Sequence, residues 1–269
     1  MNIRFTSPLE VFQPIRVRQP FEEAARQIAS AIRIGELEVG ERLSSERVFA
    51  EQLKISRLTL RRAIQQLADA GILTVHSGRR GGTYVKSDLI PLEMVTDVPL
   101  IRTGEVGDIL AARRLIEPGV ARLAALTGTD EDFEAIQRTI DYYRRYAHEF
   151  AGGTVDEGLR LRVSIADTRF HTAIARATRN PTIIEIMGIL ISRLEVVRAR
   201  AIENLGAAPY VISLHDRTLA AIAGGDSNAI EAIMDEHLSV LERAWEEQSG
   251  RPLRRRPPDF LLPLSERSV

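Results

Sequence analysis

The stretch from Ser44 to Val85, SSERVFAEQLKISRLTLRRAIQQLADAGILTVHSGRRGGTYV, leaves few folds open to the chain. Ser44 or Ser45 can cap a helix that carries Glu46 in its first turn and runs to Leu53. Lys54-Ile55 forms a turn, and Ser56 caps a second helix whose apolar positions Leu60, Ile64 and Leu67 follow the i, i+4, i+7 rule. Gly71 stops that helix. Ile72–Val75 and Thr83–Val85 are β-prone runs around the turn signal SGRRGG, so they predict a hairpin. The order is helix, tight turn, helix, two-stranded wing.

Such a module has a physical use. A DNA major groove accepts one α-helix, and the second helix of a helix-turn-helix presents its N-terminal residues to base edges. Here those residues are Ser56, Arg57, Leu58, Thr59 and Arg61. Arg57 and Arg61 are four apart and share a face, and arginine suits bidentate contact with guanine. Ser56 and Thr59 can hold phosphate at the helix N-terminus, and Arg47 lies on the first helix near the backbone. In the wing, Arg79 and Arg80 sit between glycines that allow close approach to DNA. A solvated arginine face on a small helical domain is the plain alternative for each arginine taken alone. It accounts less well for the ordered set of caps, turn, arginine helix and wing.

The remainder is acidic and helical. Residues 1–86 hold 14 Lys+Arg against 9 Asp+Glu, 87–249 hold 17 against 26, and the last 20 residues hold 5 against 2. A basic first domain and an acidic second one imply different partners. Residues 1–19 read as an arm, and Phe21 to Gly35 as a helix with Ala24, Ile28, Ala31 and Ile32 on one face. The winged module therefore spans 20–86, with a linker at 87–104. From Glu105 the pattern predicts six helices, near 105–127, 130–150, 156–179, 181–204, 209–224 and 227–248, separated by glycine and Asn-Pro breakers. Short joints make these an antiparallel bundle over 105–249, and the proline-rich 250–269 a disordered tail. The expected fold is mainly α, a winged helix-turn-helix followed by a helical bundle. Cysteine is absent, which rules out disulfides and thiolate metal sites. No signal peptide or membrane-length apolar run is present, so a cytoplasmic protein is expected.

The bundle carries one notable constellation. Asp167 and His171, four apart, point from one helical face. His215 and His237 lie 22 residues apart across the Gly224-Gly225 joint, and an αα-hairpin brings such positions to similar height. One carboxylate and three imidazoles suit a divalent metal, zinc first, with nickel, manganese or iron as alternatives. Taken singly, each histidine is an ordinary polar residue on its helix. His76 follows a wing strand, and His148 lies among Tyr142, Tyr143 and Tyr146 with no metal partner. Arg113 and Glu117 stand four apart, either as a surface pair worth only ~0.3–0.5 kcal/mol or with Arg113 turned inward to grip a carboxylate.

The first stretch resembles the winged helix of the GntR family of bacterial repressors. Ser44, Ile55 and Leu60 depart from its usual proline and valines, and Leu58 stands where a polar residue is common. The resemblance implies that Arg47, Arg57, Thr59 and Arg61 contact operator DNA and that Gly78 places the wing. Residues 105–245 are similar to the FCD ligand-binding domain of the FadR subfamily, through ARRLIEPGVARLAA, DTRFH, the Arg-Asn-Pro joint and the last two histidines. That likeness implies a metal held by Asp167, His171, His215 and His237, with a small organic acid, a sugar acid or hydroxy acid, bound beside it. It also implies that Arg113 and Asn180 reach the acid. The expected protein is a homodimeric, non-enzymatic regulator, most simply a repressor. A hydrolase built on the Asp/His₃ site and a purely structural metal are the alternative readings. No general base is evident beside Asp167, which weakens the hydrolase.

Overall fold

Helix α1, Pro20–Arg33, begins on a proline, which suits a first helical position whose N–H has no partner in any case. The Glu22 carboxylate reaches back to accept from the Gln19 N–H at 2.8 Å, and Gly35 turns the chain away at φ +79°. The computed structural model describes residues 18–78, 81–95, 105–147, 157–201 and 208–253. Arg79, Arg80, His148, most of the expected arm and nearly all of the expected tail lie outside them.

The described residues form two compact units. The first holds the chain up to Ile32 together with Glu38–Asp88, and the second holds Arg33–Leu37 together with Leu89 onward.

In the first unit α1 packs through Ala24, Ala25, Ile28, Ala29 and Ile32. Helix α2, Glu46–Gln52, and helix α3, Arg57–Asp69, form the expected pair. Between them Lys54 adopts φ +53°, and the Ile55 N–H returns to the Ala50 carbonyl at 3.0 Å, which closes the turn. Leu60, Ala63, Ile64 and Leu67 supply the buried stripe of α3. Strands β1, Leu73–His76, and β2, Gly82–Val85, pair antiparallel with Leu73 opposite Val85 and His76 opposite Gly82. The wing has a third edge that the periodicity does not announce. Arg42 bridges Tyr84, the Leu43 N–H donates to the Thr83 carbonyl at 2.9 Å, and the Val85 N–H donates to the Glu41 carbonyl at 2.9 Å. The connector ELEVGERL lacks strand alternation, and β2 supplies the partner that makes it extended.

The second unit is the six-helix bundle. It comprises α4 (Val106–Thr127), α5 (Asp130–Ala147), α6 (Glu157–Ala177), α7 (Pro181–Ala201), α8 (Ala208–Gly224) and α9 (Ser227–Ser249). Helix α6 packs against α4, α5 and α7, and α8 and α9 form an adjacent hairpin. Asp226 caps α9 by accepting from Asn228 N–H at 2.9 Å and Ala229 N–H at 3.1 Å. One apolar core runs through all six helices and includes Phe170, Ile136, Ile140, Leu194 and Trp245, the chain's one tryptophan. Burying each such side chain contributes about 1.5–3 kcal/mol against the entropy of ordering the chain.

The described residues of the expected linker, 87–95, have structure of their own. Ile90 is buried and Leu92–Met94 form a 3₁₀ turn. Within the same unit the buried Arg33 guanidinium donates to the Ile90 carbonyl and to Glu195 on α7, at 2.9 Å for the latter. No helix among the described residues is long and apolar enough to cross a membrane.

Candidate metal centre and nucleic-acid interface

The helices bring Asp167, His171, His215 and His237 together. Each offers one ligand atom, and these atoms all lie within 4.8 Å of one another. All four residues are buried. Asp167 and His171 project from one face of α6, while the α8–α9 hairpin delivers His215 and His237 as stacked rings with centroids 4.9 Å apart. Phe170 stacks on His215 at 3.8 Å and 7° and so sets the plane of that imidazole.

Neighbouring side chains orient the donors. Glu117 Oε2 lies 3.0 Å from His171 Nδ1, which leaves Nε2 turned toward the centre. The Thr218 hydroxyl donates to the Leu214 carbonyl at 2.8 Å. At 3.5 Å from His237 Nδ1 it can therefore act only as acceptor, which favours a ligand lone pair on Nε2. His215 Nε2 sits 3.3 Å from Asp167 Oδ1, yet neither ring nitrogen has a hydrogen-bond partner among the described residues. A buried imidazole in that state is expensive unless something coordinates it, so the donor set fits a divalent metal.

The electrostatics agree. Burial lowers the pKa of both His215 and His237, the latter also through His215, His171 and Arg113, so both are neutral donors. Burial pushes the Asp167 carboxyl up, but Arg198 and His171 outweigh it and hold it well below the usual range. Burial likewise raises Glu117, while Arg113 and His171 bring it down to about 2. His171 is pulled down by burial and lifted more strongly by Glu117 and Asp167, which raises its pKa.

Arg113 is 3% exposed and Glu117 2%, which overturns the surface-pair alternative. Arg113 Nε donates to Glu117 Oε1 at 2.7 Å, and Nη2 lies 3.1 Å from His171 Nε2. A cavity of about 60 Å³ opens here, lined by Arg113, Asp167, His237, Tyr143, Leu214 and Arg198. Asn180 does not reach it. Its side chain is exposed and accepts from Thr182 N–H at 3.1 Å and Ile183 N–H at 3.3 Å, so it caps α7.

The sequence reading missed Arg198 and the orienting parts of Glu117, Phe170 and Thr218. Arg198 had a signal. It continues the buried stripe Met187, Ile191, Leu194 at helical spacing, where a charge is out of place.

On the first unit, Ser56 caps α3 by accepting from Thr59 N–H at 3.0 Å, and the two hydroxyls are 2.8 Å apart. Arg61 Nε is held by Glu46 at 2.8 Å, and Arg47 lies 3.5 Å from Glu51. The Arg57 side chain is exposed and makes no hydrogen bond or ion pair among the described residues. Beside it Leu58 is 71% exposed. Gly78 adopts φ +102°, and a Cβ on Gly81 would come within 2.3 Å of the His76 carbonyl, so the wing turn requires glycine. Arg42 adds a cation here, with Nη2 donating to the Gly81 carbonyl at 2.7 Å.

Known families match both units. The FCD domain matches residues 108–240, and the family of bacterial regulatory proteins called gntR matches 20–85. The HTH-type transcriptional regulator LutR of Bacillus subtilis is 33% identical over 218 residues, 78% of this chain and 94% of that protein. A putative L-lactate dehydrogenase operon regulatory protein of Escherichia coli is 30% identical over 254 residues, 88% of this chain and 92% of that one. Among solved structures, McbR/YncC of E. coli superposes with a TM-score of 0.50 at 17% identity, over 87% of this chain and 100% of that one, a likeness of fold.

Proposed function

Because the chain belongs to the GntR family of bacterial transcriptional regulators and carries an FCD domain, and is therefore a DNA-binding regulator and not an enzyme, we propose that it is a metal-dependent repressor released by a small hydroxy acid. One observation carries this reading: four buried donor atoms lie within 4.8 Å of one another, and two of their residues, Asp167 and His237, line a cavity together with the buried Arg113. A divalent metal, zinc first, would supply a Lewis acid for a carboxylate or hydroxyl oxygen. Arg113 would hold the acid's carboxylate, while Glu117 and Thr218 keep the imidazoles aimed. The operon named for the E. coli relative points to acids of the lactate kind.

On DNA, a homodimer would place one α3 in each half of a palindromic operator. Arg57, Arg61, Ser56 and Thr59 would make the groove and phosphate contacts, with Arg47 and the wing residues Gly78, Arg79 and Arg80 on the flanking backbone. The acid shifts operator affinity only through a difference in its affinity for the two arrangements of the dimer.

A thermal-shift screen of organic acids on zinc-loaded protein, followed by operator titrations with each hit, tests the reading. A hydroxy acid should raise the bundle's melting temperature and weaken operator binding. Stabilisation by zinc with no response to any acid would instead make the metal purely structural.

A further inference from the structure

Arg198 of α7 is 5% exposed, and the acid-site reading gives it no task. Its Nη2 pairs with Asp167 Oδ2, while its Nη1 is buried without a hydrogen-bond partner among the described residues. It lines the 60 Å³ cavity beside the metal donors and also a wider one of about 510 Å³, whose wall includes Pro91, Leu92, Arg160 and Leu161. A buried guanidinium with an unmet donor is costly, and its present partner is a carboxylate that a metal would also claim.

The charges make the conflict concrete. Asp167 and Glu117 bring two negative charges, and Arg113 and Arg198 two positive ones. A divalent metal on neutral imidazoles leaves this enclosed site two positive charges in excess, which burial does not tolerate without an anion. Apolar walls from Val211, Leu214, Val240, Leu241 and Ala244 complete the smaller cavity. A space of 60 Å³ is far below that of a drug-sized pocket, so it suits an acid of roughly two to four carbons.

We propose that Arg198 is an exchangeable guanidinium, which neutralises Asp167 in the metal-free protein and turns to the carboxylate of a short hydroxy acid once a divalent metal has taken Asp167. Metal binding thereby creates the acid site and precedes the acid. The exchange rests on the reading of this cavity as the effector site. It adds a fixed order of binding, a second anchoring arginine and a limit on size. The wider cavity, with Arg198 at its boundary, is the side from which the acid enters.

The test uses the full-length protein, zinc ion alone, L-lactate, and D-gluconate as an oversized control. In competition with a chelator, Arg198→Met should bind zinc roughly tenfold more tightly, because a like charge and a competitor for Asp167 are both gone. L-lactate should bind zinc-loaded wild type, fail on metal-free protein, and lose roughly 10–100-fold in affinity in Arg198→Met. D-gluconate should not bind. Arg198→Lys keeps the charge and removes the planar fork, so it should leave zinc affinity near wild type while still weakening L-lactate, and it serves should the Met variant misfold. Zinc binding that weakens in Arg198→Met, or L-lactate binding that survives it or needs no metal, overturns the exchange alone. Zinc-loaded wild type that ignores every hydroxy acid overturns the effector reading, and the exchange with it.

A separate observation concerns the DNA surface. Leu58 is an exposed aliphatic side chain on the first turn of α3, among polar and cationic neighbours. In the major groove only thymine offers an apolar group, its C5 methyl. We infer that Leu58 reads a thymine methyl in each half-site. An operator selected from random duplexes by the wild-type protein supplies the probe, and replacing each thymine in turn with deoxyuridine removes one methyl at a time. One position should weaken wild type severalfold and leave Leu58→Ala indifferent. A scan in which no thymine couples to Leu58 overturns the assignment.

Discussion

At the residue scale, free and engaged arginines make different predictions. Arg57 is exposed and unpaired among the described residues, so its donors are available to a base edge. Arg57→Ala should weaken operator binding by ~1–3 kcal/mol and relax base preference at one position. An unchanged titration would remove it from the recognition set. Arg61 must first leave Glu46, its partner at 2.8 Å, though an exposed pair of this kind holds by only ~0.2–1 kcal/mol. In the bundle, Glu117→Gln should lower metal affinity by ~10–100-fold, because the His171 ring loses its anionic partner. Chelator competition measures it, and full affinity would make Glu117 a packing residue. The four clustered residues were legible in the chain, since Asp167 and His171 keep helical spacing and an αα-hairpin across Gly224-Gly225 brings His215 and His237 to similar height. Glu117 was legible only as the partner of Arg113. Its 3.0 Å contact with His171 joins residues on different helices, and local spacing holds no trace of that.

At the element scale, caps and faces decide what the sequence can announce. Ser56 closes the first turn of α3, and Ser56→Ala should cost ~1 kcal/mol in a urea melt of the winged unit. The six bundle helices were readable because each repeats its apolar positions over several turns and the chain places Gly or Asn-Pro breakers between them. Residues 41–43 were not, because they extend only by pairing with β2. Asn180 misled for a related reason: the same residue can reach a pocket or cap a helix, and only the turn before α7 shows that it caps. Phe170 stands between core and site, since it is fully buried and also stacked on His215. Phe170→Ala should destabilise the bundle by ~3–5 kcal/mol. It should weaken metal binding in the same variant, and Phe170→Leu should restore more of the stability than of the metal affinity. Equal recovery of both would reduce Phe170 to core filler.

At the scale of the whole molecule, a metal held by the four clustered side chains would be linked to stability. A ligand that binds only the folded bundle stabilises it by about 4 kcal/mol when present at a thousandfold its dissociation constant. Chelation should therefore lower the bundle's melting transition by several degrees, with zinc restoring it, and operator affinity of the stripped protein should lose its response to acid. A transition indifferent to chelator would mean that the four donors hold nothing. Trp245 makes this measurable in an unmodified chain. It is the one tryptophan, buried on α9, the helix that carries His237 and, at Leu241 and Ala244, part of the cavity wall. Light absorbed by tryptophan is thus emitted from the helical bundle alone, and the winged unit stays dark. The protein carries its own fluorescent gauge in the unit that holds the four clustered side chains, so the response to added metal, to added acid and to denaturant can be followed with operator present and no dye attached.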